Sequence, residues 1–157
     1  MLLTRLAFKH TGISHRLVVV SDGEQAVRYL NGEGPYADRE QFPIPRLILL
    51  DLEMPRMTGF EFLAWLRQES EIRHLPVIVL SGSLNSADLR HAYQAGANCF
   101  LAKPTDLTEF AATLTQMCDF WLKRCTLPDA STNANLTIKE KKPNLSTSHT
   151  DTGEMAA

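Results

Sequence analysis

The sequence predicts an α/β fold: a parallel sheet covered by helices on both faces. Three observations predict it. Four short runs, RLVVV at 16–20, RLILL at 46–50, PVIVL at 76–80 and NCFLA at 98–102, are nearly apolar throughout, as strands buried on both faces are. Segments with apolar residues three and four apart lie between them, as crossover helices joining parallel strands require. Gly, Pro, Ser and Asn punctuate the junctions.

Taken in order, Leu2, Leu3, Leu6 and Ala7 recur at helical spacing, with Gly12 as the stop. The 16–20 strand ends at Ser21-Asp22-Gly23, and 24–31 is a short helix with Ala26, Val27 and Leu30 on one face. Two glycines and three prolines make 32–45 a loop. The 46–50 strand runs into Asp51, and a Pro/Gly-punctuated stretch leads to Gly59 and a helix over 60–68. The 76–80 strand ends at Ser81-Gly82-Ser83, and a helix over 86–95 is stopped by Gly96. After the 98–102 strand, Asp106 caps a last helix to about Arg124, with Glu109 placed for a capping box. In that helix Leu107, Ala111, Leu114, Cys118 and Trp121 form a core stripe. Phe110, Met117 and Phe120 widen it, either as more core or as a homodimer or partner surface.

Composition narrows the class. A length of 157 residues suits one domain of residues 1–124 plus a tail, 125–157. The tail is rich in Ser, Thr and Asn and has no aromatic residue, so it is expected to be disordered. Sixteen Lys plus Arg against 18 Asp plus Glu give a net charge of −2, which lacks the footprint of a nucleic-acid binder. No apolar run is long enough for a membrane span, and Arg5 and Lys9 interrupt any signal-peptide core, so a cytoplasmic protein is expected. Three cysteines without a CxxC spacing argue against a disulfide scaffold or a zinc module. Cys99, Cys118 and Cys125 are expected to pack inward.

In an open parallel sheet, ligands bind beyond the carboxyl ends of the strands. Three predicted strand ends carry Asp51, Ser81 and Lys103. Singly, each has a dull explanation as a turn former, a strand stop or a snorkelling cation. Together they gather a carboxylate, a hydroxyl and an ammonium on one edge. Such a set suits phosphoryl transfer: a nucleophile to accept the group, and donors to neutralise its oxygens.

ILLDLEMPRMTGFEFL, VIVLSGS and AGANCFLAKPTDL, in this order and 30 and 22 residues apart from Asp51 to Ser81 to Lys103, resemble the receiver domain of two-component response regulators. The loop GEGPYADREQFPIP and the segment GANCFLAKP look most like small single-domain regulators paired with bacterial phytochrome-type histidine kinases. The resemblance implies a flavodoxin-like sheet of order 2-1-3-4-5 and a function as a phosphoacceptor that signals by protein contact, with a sensor histidine kinase as partner and no enzymatic turnover beyond slow self-dephosphorylation. Asp51 matches the phosphoacceptor, and Glu53 the position whose backbone carbonyl ligates Mg²⁺. Ser81 and Phe100 match the switch pair, which couples the phosphoryl charge to the face of the fourth helix, fifth strand and fifth helix. Lys103 matches the lysine that pairs with a phosphoryl oxygen, and Pro104 the proline after a cis peptide. Pro55 and Gly59 match turn residues of the acceptor loop, and Gly82 a small residue that leaves the phosphoryl group room.

The likeness departs at the front. Receivers begin with a central apolar strand ending in an acidic pair that supplies Mg²⁺ carboxylates, whereas here Met1 already falls in the helix that follows, and the first acid is Asp22. The expectation is a native start about 20 residues upstream, the length of a strand, its turn and the beginning of a helix. As the chain stands, Mg²⁺ should bind weakly through Asp51 and the Glu53 carbonyl, since the ion demands octahedral oxygen coordination. Two further functions compete. One is a phospho-independent pseudo-receiver, which the absent acids would favour. The other is an Asp-nucleophile phosphohydrolase of the haloacid-dehalogenase type, which needs a second Asp where Glu53 stands.

Overall fold

The computed structural model describes residues 6–9, 11, 15–68 and 71–128. Its sheet has three parallel strands, β1 (Ile48–Asp51), β2 (Val77–Ser81) and β3 (Cys99–Ala102), in the order β1-β2-β3. The register sets Asp51 beside Leu80 and Ser81 beside Ala102, so the three carboxyl ends lie level along one edge. This is the 3-4-5 half of the flavodoxin-like order.

Four helices follow the predicted pattern: α1 (Gly23–Asn31), α2 (Gly59–Gln68), α3 (Ser86–Gln94) and α4 (Leu107–Cys118). Residues 6–9 are also helical, while Leu2, Leu3, Gly12 and the tail from 129 lie outside the described residues. Each helix starts where a short polar side chain satisfies a free backbone N–H. Asp22 accepts from Gln25 N–H, Asn85 from Ala87 N–H and Asp106 from Glu109 N–H. Thr58 and Glu61 form a reciprocal capping box at α2: Thr58 N–H donates to Glu61 Oε2 (2.8 Å), and Glu61 N–H to Thr58 Oγ1 (3.3 Å). Gly32 and Gly96, with φ of 71° and 97°, close α1 and α3 in the left-handed region that a Cβ disfavours.

The sheet divides the core by the two-residue period of its central strand. Val77 and Val79 face one way, with Leu50, Phe62, Leu63, Leu66 and Ala92 from β1, α2 and α3. Ile78 and Leu80 face the other, with Ala7 and, from α4, Phe110, Leu114 and Met117. Behind the first cluster, the 32–47 loop is tied down by Tyr29, Tyr36 and Phe42 in edge contacts and by Arg39, which donates to the Tyr29, Leu30 and Phe42 carbonyls at the end of α1 and in the loop.

Three expectations are corrected and one open choice is decided. RLVVV at 16–20 joins no ladder and Val18 stays exposed, because a strand exists only by pairing and no described segment lies alongside it. Phe110 and Met117 are core residues, 0% and 6% exposed, so of the wider stripe only Phe120, at 54%, remains exposed. The last helix is not α-helical to Arg124. It changes at Cys118 to a π-helical stretch, Asp119–Arg124, in which Cys125 N–H reaches back five residues to Phe120 C=O (3.0 Å). The Lys103–Pro104 bond is trans, the isomer that X–Pro bonds intrinsically favour. Cys118 is buried, while Cys99 and Cys125 are half-buried.

Candidate functional site

Asp51, Ser81 and Lys103 stand at or just past the carboxyl ends of adjacent strands because each follows a buried apolar run that ends there. Lys103 N–H donates to Ser81 C=O (2.8 Å), extending the β2–β3 pairing by one residue past β3. Lys103 Nζ forms an ion pair with Asp51 Oδ2. Since β1 and β3 flank β2, this pair arches over the end of the central strand, where Ser81 sits. The Asp51 and Lys103 side chains are 27% and 23% exposed, open to a ligand yet partly shielded from water. Asp51 Oδ1 is held separately by Glu53 N–H (3.2 Å). Both carboxylate oxygens are therefore oriented by donors, which suits a nucleophile that must present one fixed oxygen.

Ser81 is 6% exposed, and its Oγ accepts from Ser83 N–H (3.1 Å), leaving the hydroxyl proton to donate. A Cβ at Gly82 would meet nothing within 4 Å, so the space beyond Ser81 is open. Gly59 is the opposite case. A Cβ there would lie 2.3 Å from Asp51 O and 2.7 Å from Leu52 Cα, so the start of α2 packs directly on the backbone at the end of β1. Glu53 and Pro55 are exposed on the loop between them. Phe100 points into the core beside Ala92 and Ala97, 9% exposed. Pro104 follows Lys103 into the turn before α4.

The donors for a metal are few. Among the described residues no three His, Cys, Asp or Glu side chains gather into a cluster. Asp51 offers one carboxylate and the Glu53 carbonyl one oxygen, short of a dedicated Mg²⁺ site.

Two features escaped the sequence reading. The Thr58–Glu61 box is a T-x-x-E pattern legible in the chain. The pairing of Arg56 with Asp22, 34 residues away, carries no local signal at all. Near the opposite end of the sheet, Arg67 is likewise a hub. It donates to the Gly96, Arg73 and Leu75 carbonyls and to Asn98 Oδ1, and burial lowers its pKa from the usual arginine value.

Comparison with known proteins accords with this arrangement. The response regulator receiver domain family matches residues 1–115. Response regulator Rcp1 of Synechocystis sp. is 36% identical over 128 residues, covering 82% of this chain and 85% of that protein. Among solved structures, RPA3017, a response regulator in red light signaling of R. palustris, superposes with a TM-score of 0.77 at 38% identity, covering 82% of this chain and 90% of that one. The phosphorylated cyanobacterial phytochrome response regulator RcpA gives 0.72 at 36% identity, with 81% and 89% covered. The Mn²⁺-bound form of Rcp1 gives 0.69 at 35% identity, again with 81% and 89% covered.

Proposed function

The chain belongs to the response regulator receiver domain family of two-component systems, close to the phytochrome response regulators, and from that premise we propose that Asp51 is its phosphoacceptor and a phytochrome-type sensor histidine kinase its donor. An Asp51 oxygen attacks the phosphorus of the kinase phosphohistidine. The P–N bond breaks, the imidazole nitrogen leaves with its electron pair and takes up a proton, and an acyl phosphate remains. The new group carries charge near −2, and the Lys103 ammonium offsets part of it. The Ser81 hydroxyl donates to a phosphoryl oxygen, with Gly82 leaving space for the group. Buried Phe100, two residues before Ala102 and three before Lys103, repacks in response and alters the surface a downstream protein contacts.

The observation that carries this reading is the Asp51–Lys103 pair spanning the end of β2. RcpA is known in a phosphorylated form and Rcp1 with Mn²⁺ bound. Among the described residues a divalent cation would find the Asp51 carboxylate and the Glu53 carbonyl to hold it, a set that binds it weakly. The protein is a phosphoacceptor rather than an enzyme with turnover, and it works in the cytoplasm; no helix among the described residues is long and apolar enough to cross a membrane. Incubation with acetyl phosphate and excess Mg²⁺ should add one acid-labile phosphoryl group, seen in the intact mass and absent in Asp51→Asn. An Asn variant that still takes the label would remove the assignment.

A further inference from the structure

The loop that follows the acceptor, residues 52–58, is anchored at both flanks. On one side Gly59 N–H closes it by donating to Leu52 C=O (3.1 Å). On the other, the Arg56 guanidinium pairs with the carboxylate of Asp22 at the start of α1, reaches Ser21 Oγ (3.3 Å), and has its Nε 3.7 Å from Glu24 Oε2. Asp22 is fully buried and already engaged: its Oδ1 caps Gln25 N–H (2.9 Å), and its Oδ2 accepts from Ser21 Oγ (2.5 Å). A buried carboxylate needs a compensating cation, and Arg56 is the one it has among the described residues. Arg56 reaches it from a strained backbone. Its φ of 64° makes it the sole described non-glycine residue in the left-handed region, which side chains with a Cβ disfavour and which persists only where surrounding contacts impose it. Contact between the two segments is close. A Cβ on Gly23 would lie 2.8 Å from Met57 Cβ and 2.9 Å from Met57 O.

We propose that the Arg56–Asp22 ion pair is a latch that fixes the acceptor loop against the start of α1, making Arg56 a positioning residue for Asp51. The loop carries the Glu53 N–H that orients Asp51 Oδ1. Free to drift, it would take that donor away from the carboxylate, and the attacking oxygen would lose its fixed direction. The latch rests on Asp51 being the acceptor only for its effect on phosphorylation; its effect on the loop is independent of that reading.

The test compares the full chain with Arg56→Ala, Arg56→Gly, Asp22→Asn and the double variant Asp22→Asn/Arg56→Ala, because Asn keeps the helix cap while removing the charge. Two readouts are taken: hydrogen exchange at the Glu53 amide, and the rate of acetyl phosphate labelling resolved into its limiting rate constant and the half-saturating acetyl phosphate concentration. Each single variant should speed exchange at Glu53 and lower the limiting labelling rate constant by about ten- to hundredfold with little change in the half-saturating concentration, as expected when a reacting group is misplaced. The double variant should be no worse than either single one. If Arg56→Gly, which relieves the backbone, labels like the parent while Arg56→Ala does not, the backbone conformation matters and the latch does not exist. Unchanged Glu53 exchange in all variants would equally overturn it. Failure of the parent itself to label would remove the acceptor reading and leave the amide exchange to decide the latch.

Discussion

Substitution of Gly59 by Ala tests how tightly Asp51, the proposed acceptor, is held by the helix behind it. In most helices this change is favourable, by about 1 kcal/mol, because alanine restricts the unfolded chain and suits helical geometry. Here the added methyl would stand 2.3 Å from Asp51 O, 2.7 Å from Leu52 Cα and 3.1 Å from Asp51 C, and all three are backbone atoms that no rotamer change can move. Restoring ordinary contact requires α2 and the end of β1 to separate by about 1 Å, and overpacking of this kind costs about 1–3 kcal/mol. Against the helical gain, the net loss is roughly 0–2 kcal/mol, a fall in Tm of at most roughly 8 °C. The larger effect should be on chemistry, since a 1 Å displacement of a reacting group lowers rates by about a hundredfold. Thermal melts by circular dichroism and phosphoryl uptake from acetyl phosphate measure the two effects on one preparation. A Gly59→Ala protein that melts higher than the parent and labels at the parent rate would refute the claim that this contact positions Asp51.

Three other outcomes are expected. Arg67→Ala leaves the Gly96, Arg73 and Leu75 carbonyls without their charged donor and should lower unfolding stability by about 2–4 kcal/mol in urea, with Arg67→Lys intermediate because an ammonium cannot reproduce the fork. Glu61 is held below the usual carboxylate range by the Thr58 backbone N–H and then by its hydroxyl, so its capping contribution is present above the ordinary value of 4.5 and lost as pH falls through the lower folded value; the stability gap between parent and Glu61→Ala should close in that acid range. In β1, Ile48 N–H bonds to Pro76 C=O, so by the alternation of a parallel ladder Leu49 N–H faces the side on which no described strand pairs and should exchange faster than Ile48 or Leu50.

Much of the molecule was legible because its signals are short-range. The two-faced burial of Val77 to Leu80, the glycine stop at 96 and the Asp106 cap each depend on a few neighbouring residues, and the structure places them as the pattern predicts. The strand-end positions of Asp51, Ser81 and Lys103 follow from the same logic, and so does their family likeness. Other features depend on partners that sequence proximity does not name. Whether 16–20 becomes a strand depends on a neighbour to pair with, and its β-branched composition supplies none. Phe110, Met117 and Phe120 share one apolar pattern, and only the packing of α4 on Ile78 and Leu80 separates the first two from the exposed third.

The chain by itself determined which strands are buried on both faces, where the helices begin, and which polar groups end each strand, because hydrophobic period and capping act over a turn or two. Tertiary structure alone decided that Lys103 crosses β2 to meet Asp51, that Arg56 reaches a buried carboxylate 34 positions back, and that Arg67 reaches the Gly96 carbonyl 29 positions on. Ion pairs and hydrogen bonds of that reach are set by how the layers stack, and a charged side chain has the same local signature whether it meets water or a buried partner.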